Sequence, residues 1–122
     1  MAILPELTFY QYLNQDLISV VIQDWKSLEI LMLGTMSKES LTLTLDNNIV
    51  YLFTLARQEL WLKGEESGIH IKVKEIRVNC NHTNLLILAE YAGNICHTGT
   101  RSCFAHQLIK EDDAWIWQDM PQ

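Results

Sequence analysis

Ile69-His70-Ile71-Lys72-Val73-Lys74-Glu75-Ile76-Arg77-Val78 decides the fold class, because apolar and charged residues alternate along it at the two-residue period of a strand with one buried face. The alternation slips at Glu75-Ile76, which predicts a β-bulge there. Immediately upstream, Gly64 to Gly68 is glycine-rich and charged and reads as a loop. Further upstream, Ile49 to Leu55 reads as a strand, as does Leu17 to Asp24, whose LISVVIQD is rich in Val and Ile. A turn at Trp25 to Ser27 leads into another strand over Leu28 to Met36. Ser37 is a helix cap with Glu39 and Ser40 in the first turn, predicting a short helix over Lys38 to Leu45 that Asp46-Asn47-Asn48 ends. Its threonines lower the helix propensity. Downstream, Leu85 to Tyr91 is a continuous apolar run that periodicity does not assign between buried strand and helix, and Gly93 ends it. A turn at Glu111-Asp112-Asp113 precedes a terminal strand at Trp115-Ile116-Trp117. The expectation is one small, mainly β (α+β) domain covering residues 1–122.

Composition narrows the function classes. A chain of 122 residues with 48% hydrophobic content is globular, and at this size a metal or a partner subunit is a natural supplement to a single core. A formal charge of −6 without clustered Lys and Arg argues against a nucleic-acid surface. Met1 to Asp16 lacks the basic start and apolar core of an export signal, and no apolar run is long enough to span a bilayer. A cytoplasmic protein without membrane association is expected. Three cysteines, Cys80, Cys96 and Cys103, form an odd set that reducing compartments leave as thiols. They are then ligands, nucleophiles or small buried apolar groups.

Their context is more specific. Leu31-Met32-Leu33 with Met36, Leu60-Trp61-Leu62-Lys63-Gly64-Glu65-Glu66-Ser67-Gly68, Cys80, Cys96-His97-Thr98-Gly99 and Ser102-Cys103-Phe104 occur in the order and spacing of one family. Over roughly Asp16 to Phe104 the chain resembles phosphoribosyl-AMP cyclohydrolase, which opens the adenine ring in histidine biosynthesis. The resemblance implies an intertwined obligate homodimer with a zinc ion held by Cys80 of one subunit and Cys96 and Cys103 of the other. It implies hydrolysis of a cyclic amidine carbon–nitrogen bond by zinc-bound hydroxide, whose acidity the metal supplies. His97 is the candidate for proton transfer, against a purely loop-holding role. Lys63 and Arg57 are expected to steer phosphate, with Thr54, Trp61, Gly64, Ser67, Gly68 and Thr98 lining the substrate. Lys63 is equally readable as a solvated loop cation. The chain ends soon after Trp117, so only the ring-opening half of the fused relatives is expected.

Two segments depart from the family pattern. Its Asp-Cys-Asp-x-Asp run, which holds magnesium, is Asn79-Cys80-Asn81-His82-Thr83 here, and the loss of three carboxylates makes a magnesium site doubtful. His82 stands beside the zinc loop as a further ligand or base, or as an ordinary turn residue. The family's Ser-Arg-Ser-Arg run is Thr54-Leu55-Ala56-Arg57, which removes one bidentate phosphate partner. The first reading is therefore a zinc cyclohydrolase acting on a related purine nucleotide or cyclic amidine. The second is a genuine phosphoribosyl-AMP cyclohydrolase, and the third is a non-catalytic zinc dimer that binds a nucleotide or protein.

Overall fold

A computed structural model describes residues 6–120. Met1 to Pro5, which open the stretch read for an export signal, lie outside that range, as do the last two residues of the 1–122 domain. The elements run β1 (Tyr10–Tyr12), β2 (Gln15–Asp24), β3 (Ile30–Ser37), α1 (Lys38–Asn47), β4 (Tyr51–Thr54), β5 (Glu59–Leu62), β6 (Lys72–Val78), β7 (Asn84–Glu90), β8 (His106–Glu111) and β9 (Ala114–Asp119). The expectation of a mainly β domain with one helix matches this order.

Strand β2 organises the sheet. Its alternation puts Ile18, Val20 and Ile22 on one face with no exposure at all, each such side chain contributing about 1.5–3 kcal/mol when removed from water. Antiparallel β3 flanks it on one edge, pairing Val20 with Gly34, and parallel β7 flanks it on the other, pairing Val20 with Leu85. Short β1 lies on the β7 side, at the start of β2. Antiparallel β6 completes the order beyond β7. The run over Leu85 to Tyr91 is thus a buried strand, since β7 has neighbours on both edges.

Both ends of this sheet reach the β4–β5 hairpin. Ile49 bridges to Lys72, the Val50 N–H donates to the Ile71 carbonyl at 2.9 Å and the Val73 N–H to the Asn48 carbonyl at 2.9 Å. On the far side, Leu52 of β4 lies over Gly34 of β3, where an added Cβ would sit 3.4 Å from its methyl carbons. Joined at both ends, the sheet curls around one core that includes Leu31, Leu41, Val50, Ile71 and Ile87.

Helix α1 extends two residues beyond the predicted Leu45. The Ser37 hydroxyl accepts from the Ser40 N–H at 3.1 Å, and the Ser40 hydroxyl accepts from the Ser37 N–H at 2.8 Å, a reciprocal cap. Asn48 closes the helix in the left-handed region at φ 60°. Thr44, unfavourable by propensity, is fully buried because its hydroxyl donates to the Ser40 carbonyl and accepts from the Tyr51 N–H, at 2.8 and 2.9 Å.

Several expected boundaries move. The predicted strand at Leu28 begins only at Ile30, because Leu28 takes φ 65° in a turn whose N–H donates to the Asp24 carbonyl. The strand predicted over Ile49 to Leu55 contracts to Tyr51–Thr54. Ile69 is 56% exposed and sits in the preceding loop, so the strand that the alternation placed from Ile69 starts at Lys72. The bulge falls between Val73 and Glu75, leaving Lys74 as the extra residue one position ahead of the expected slip. Short β1, β5 and β8 were not anticipated.

Candidate active site

Three loops carry the predicted residues other than Thr54, Arg57 and Trp61, which lie on β4, the β4–β5 turn and β5. The first, between β7 and β8, holds Cys96, His97, Thr98 and Cys103. It is wound tightly by the Gly99 N–H donating to the Cys96 carbonyl at 3.0 Å and the Cys96 N–H to the Thr100 carbonyl at 3.2 Å. Gly99 adopts φ 95°, a conformation that suits glycine. The loop is stitched to the start of β3 by the Cys103 N–H donating to the Leu31 carbonyl at 2.7 Å and the Ser102 hydroxyl to the Ile30 carbonyl at 2.6 Å.

Arg101, not singled out from the sequence, is the main anchor of this loop. Its guanidinium donates to the carbonyls of Tyr91 and Gly93, and reaches Asp24 at 3.0 Å and Glu29 at 3.7 Å. Asp24 is set in turn by the N–H groups of Ser27 and Lys26 and the Ser27 hydroxyl. Those bonds, the Ser27 N–H foremost and with Arg101 adding, hold its carboxyl below the usual range against the opposing effect of burial.

The two thiols of this loop are neighbours with opposite tendencies. The Cys96 sulfur lies 3.0 Å from the Thr98 hydroxyl, and that bond with the Thr98 N–H draws its thiol down to about 6. Burial and the adjacent Cys96 push Cys103 up to about 11, with Lys63 opposing. Cys96 is thus the thiol of the pair more ready to lose its proton. Thr98 is seated on this sulfur, and Lys63 lies within electrostatic reach of Cys103.

Cys80 occupies a different place, exposed in the turn between β6 and β7. Among the described residues no group of three His, Cys, Asp or Glu side chains is placed to hold a metal ion. One chain therefore presents Cys96 and Cys103 together and Cys80 apart. The turn is shaped by Asn79, whose side-chain oxygen accepts from the N–H groups of Thr83 and Asn84 at 2.8 Å each, while its amide donates to the Thr83 hydroxyl at 2.9 Å. Asn79 and Thr83 thus satisfy each other. His82 adopts φ 60°, and its carbonyl accepts from the Thr8 N–H at 2.8 Å.

The third loop follows β5. At Gly64, φ is 86° and a Cβ would fall 1.8 Å from the Ile69 carbonyl oxygen, so no other residue fits without rearrangement. The Gly68 N–H closes onto the Gly64 carbonyl at 2.7 Å, and the Ser67 hydroxyl accepts from the Ile69 N–H at 3.2 Å. His70, unremarked in the sequence, places Nδ1 2.9 Å from the Lys63 carbonyl and ties down the far end.

A cleft of about 460 Å³ brings four of the predicted residues together, Thr54, Arg57, Trp61 and His97, which line it with the apolar Met32, Leu33, Leu52 and Leu55. A neighbouring cleft of about 420 Å³ shares Trp61 and is walled by Lys63, Gly64 and Ser67. Arg57, on the β4–β5 turn, faces Glu59 at 3.4 Å, and the Thr54 hydroxyl lies 3.4 Å from the Glu59 carbonyl. Met32 and Leu33 of β3 were legible as strand residues and as part of the resemblance, but not as cleft wall, because that depends on where β4 packs against β3. No helix among the described residues is long and apolar enough to cross a membrane.

Comparison with known proteins identifies the family. Residues 32–105 match the family model described as phosphoribosyl-AMP cyclohydrolase. The chain is similar to the phosphoribosyl-AMP cyclohydrolase of Clostridium beijerinckii, with 49% identity over 75% of this chain and 84% of that protein. A relative of the same name from Clostridium botulinum is 46% identical over 88% of this chain and 96% of its own length. The histidine biosynthesis bifunctional protein HisIE of Lactococcus lactis is 40% identical over 88% of this chain, which spans half of that longer protein. With the cleft, the glycine-bent loop and the paired thiols in place, these matches show that the chain belongs to the phosphoribosyl-AMP cyclohydrolase family.

Proposed function

We propose that this chain hydrolyses phosphoribosyl-AMP, opening a cyclic amidine carbon–nitrogen bond of the adenine ring. The observation that carries the reading is that His97, next in sequence to the Cys96 thiol, lines the same cleft as Trp61, Thr54 and Arg57. A proton-transfer group, an aromatic wall and a cation thus surround one space beside the sulfur pair. The order of readings drawn from the sequence is reversed: near-half identity to relatives carrying that enzyme's name, over nearly their whole length, outweighs the altered runs at Thr54 to Arg57 and Asn79 to Thr83.

The donor set suits zinc, for which thiolates are strong ligands. Cys96 and Cys103 of one chain would supply two sulfurs and Cys80 of a second chain the third, since Cys80 stands apart within one chain. When bound, zinc supplies an acidified water at an open position. Trp61 and the apolar cleft wall accept the purine face by stacking, and Arg57 and Lys63 orient the phosphates. His97 carries the proton from the incoming water toward the ring nitrogen that leaves. Water adds to the ring carbon, the carbon–nitrogen bond breaks, and no other co-reactant is consumed. Magnesium has no part in the proposal, because the Asn79 oxygen is occupied by two N–H groups.

The test is ring opening of phosphoribosyl-AMP by zinc-loaded protein, followed by absorbance. Turnover is expected, and His97→Ala is expected to lower kcat by about 10²–10⁴-fold with little change in KM. An inert wild-type protein at every magnesium concentration overturns the reading.

A further inference from the structure

The β8–β9 hairpin has no place in the reaction just described. It forms a separate two-stranded sheet and lies beyond residues 32–105, which match the family model. Its register sets Leu108 opposite Trp117 and Lys110 opposite Trp115, all on one face. Trp115 and Trp117 are each 66% exposed and Leu108 59%. A two-stranded hairpin is marginal by itself in water, and an apolar face of this kind marks an interaction surface. Its tip, Glu111-Asp112-Asp113, carries three consecutive acidic residues.

We propose that this hairpin is an arm that lies along β6 of a second copy of the chain. The inference rests on the reading above, in which Cys80 of one chain joins Cys96 and Cys103 of another. Under that reading two anchor points coincide: the hairpin springs from Phe104 and Ala105, directly after Cys103, and β6 runs directly into Cys80. Phe104 and Val78, at these two roots, are 52% and 46% exposed. The lengths match, since the hairpin strands have six residues each and β6 has seven. The charges match as well. At the end of β6 away from Cys80, Lys26 and Lys74 share the Trp25 ring at 5.1 and 4.7 Å, and Lys72 and Lys74 both reach Glu90 at 3.9 Å, so three cations there face one carboxylate. An acidic tip laid along β6 from the Cys80 end reaches this basic patch. Beyond the single bridge at Lys72, the outer edge of β6 pairs with no strand among the described residues, an opening that invites a strand or sheet face from another chain.

The test is a charge exchange read by sedimentation. Reversing the tip with Glu111→Lys and Asp113→Lys is expected to raise the dimer dissociation constant about tenfold at low salt. Adding Lys72→Glu and Lys74→Glu to the same chain is expected to restore it to within about threefold. Trp115→Glu with Trp117→Glu is expected to weaken the dimer at least as much as the tip reversal. Because the hairpin lies outside the core, circular dichroism should be unchanged in all three variants. A dimer indifferent to the tryptophan or tip substitutions, or tip reversal without rescue, overturns the arm. Cys80→Ser protein that keeps full zinc would overturn the shared site, whereas loss of zinc from Cys80→Ser together with an indifferent hairpin would overturn the arm alone.

Discussion

At Asp24, one carboxylate gathers donors from Lys26, Ser27 and Arg101, and through Arg101 it holds the loop that carries both paired thiols. Its pKa is lower in the folded chain than the ordinary 3.8. A depressed carboxyl stabilises the fold fully above the unfolded value and loses that contribution as pH falls through the folded one. Acid unfolding should therefore draw on this group below about pH 4. Asp24→Asn is expected to cost about 1–3 kcal/mol at pH 7, the range for a hydrogen-bonded charged group, and to flatten the stability profile below pH 4. Thermal melts across pH check both, and an Asn variant with the wild-type melting temperature and acid slope would contradict the assignment. That Cys96, His97, Thr98 and Cys103 share one loop was readable in the sequence, because they lie close along the chain. Arg101 was not, since its meaning comes from Asp24, at the far end of a strand no local pattern connects to it.

Among the elements, α1 shows what capping contributes. The Ser37 hydroxyl is buried and bonded to the Ser40 N–H, so Ser37→Ala is expected to destabilise the protein by about 1 kcal/mol. Urea unfolding measures this as a lower midpoint at unchanged slope. The helix was legible from that cap and from the Asp46-Asn47-Asn48 stop, and β2 and β6 from their Val, Ile and alternating content. Short β1, β5 and β8 were missed because three to six residues give too little period to read, and their pairing partners define them. The bulge at Lys74 shifted by one position because pairing with Ala89 and Leu88 fixes it, and neither residue is visible in the alternation itself.

For the whole molecule, the shared-thiol reading predicts that Cys80→Ser strips zinc from a site whose other sulfurs are untouched. Metal content by elemental analysis after mild chelation should fall well below one ion per chain, with the dimer weakened in parallel; retention of one ion per chain would contradict it. That Cys80 stands apart from Cys96 and Cys103 within one chain was expected only through the resemblance, since spacing alone gave no reason for it. One feature of the topology also orders events in time. The central strand β2 is flanked by parallel β7, joining Ser19 to Asn84, so most of the polypeptide must exist before the barrel-like core closes. Such distant pairing slows folding. On the ribosome, the early Val- and Ile-rich strand would wait beside β3 and short β1 until Glu90 had cleared the exit tunnel. Holdase chaperones are thus expected to engage nascent chains up to that length and to release them once β7 docks.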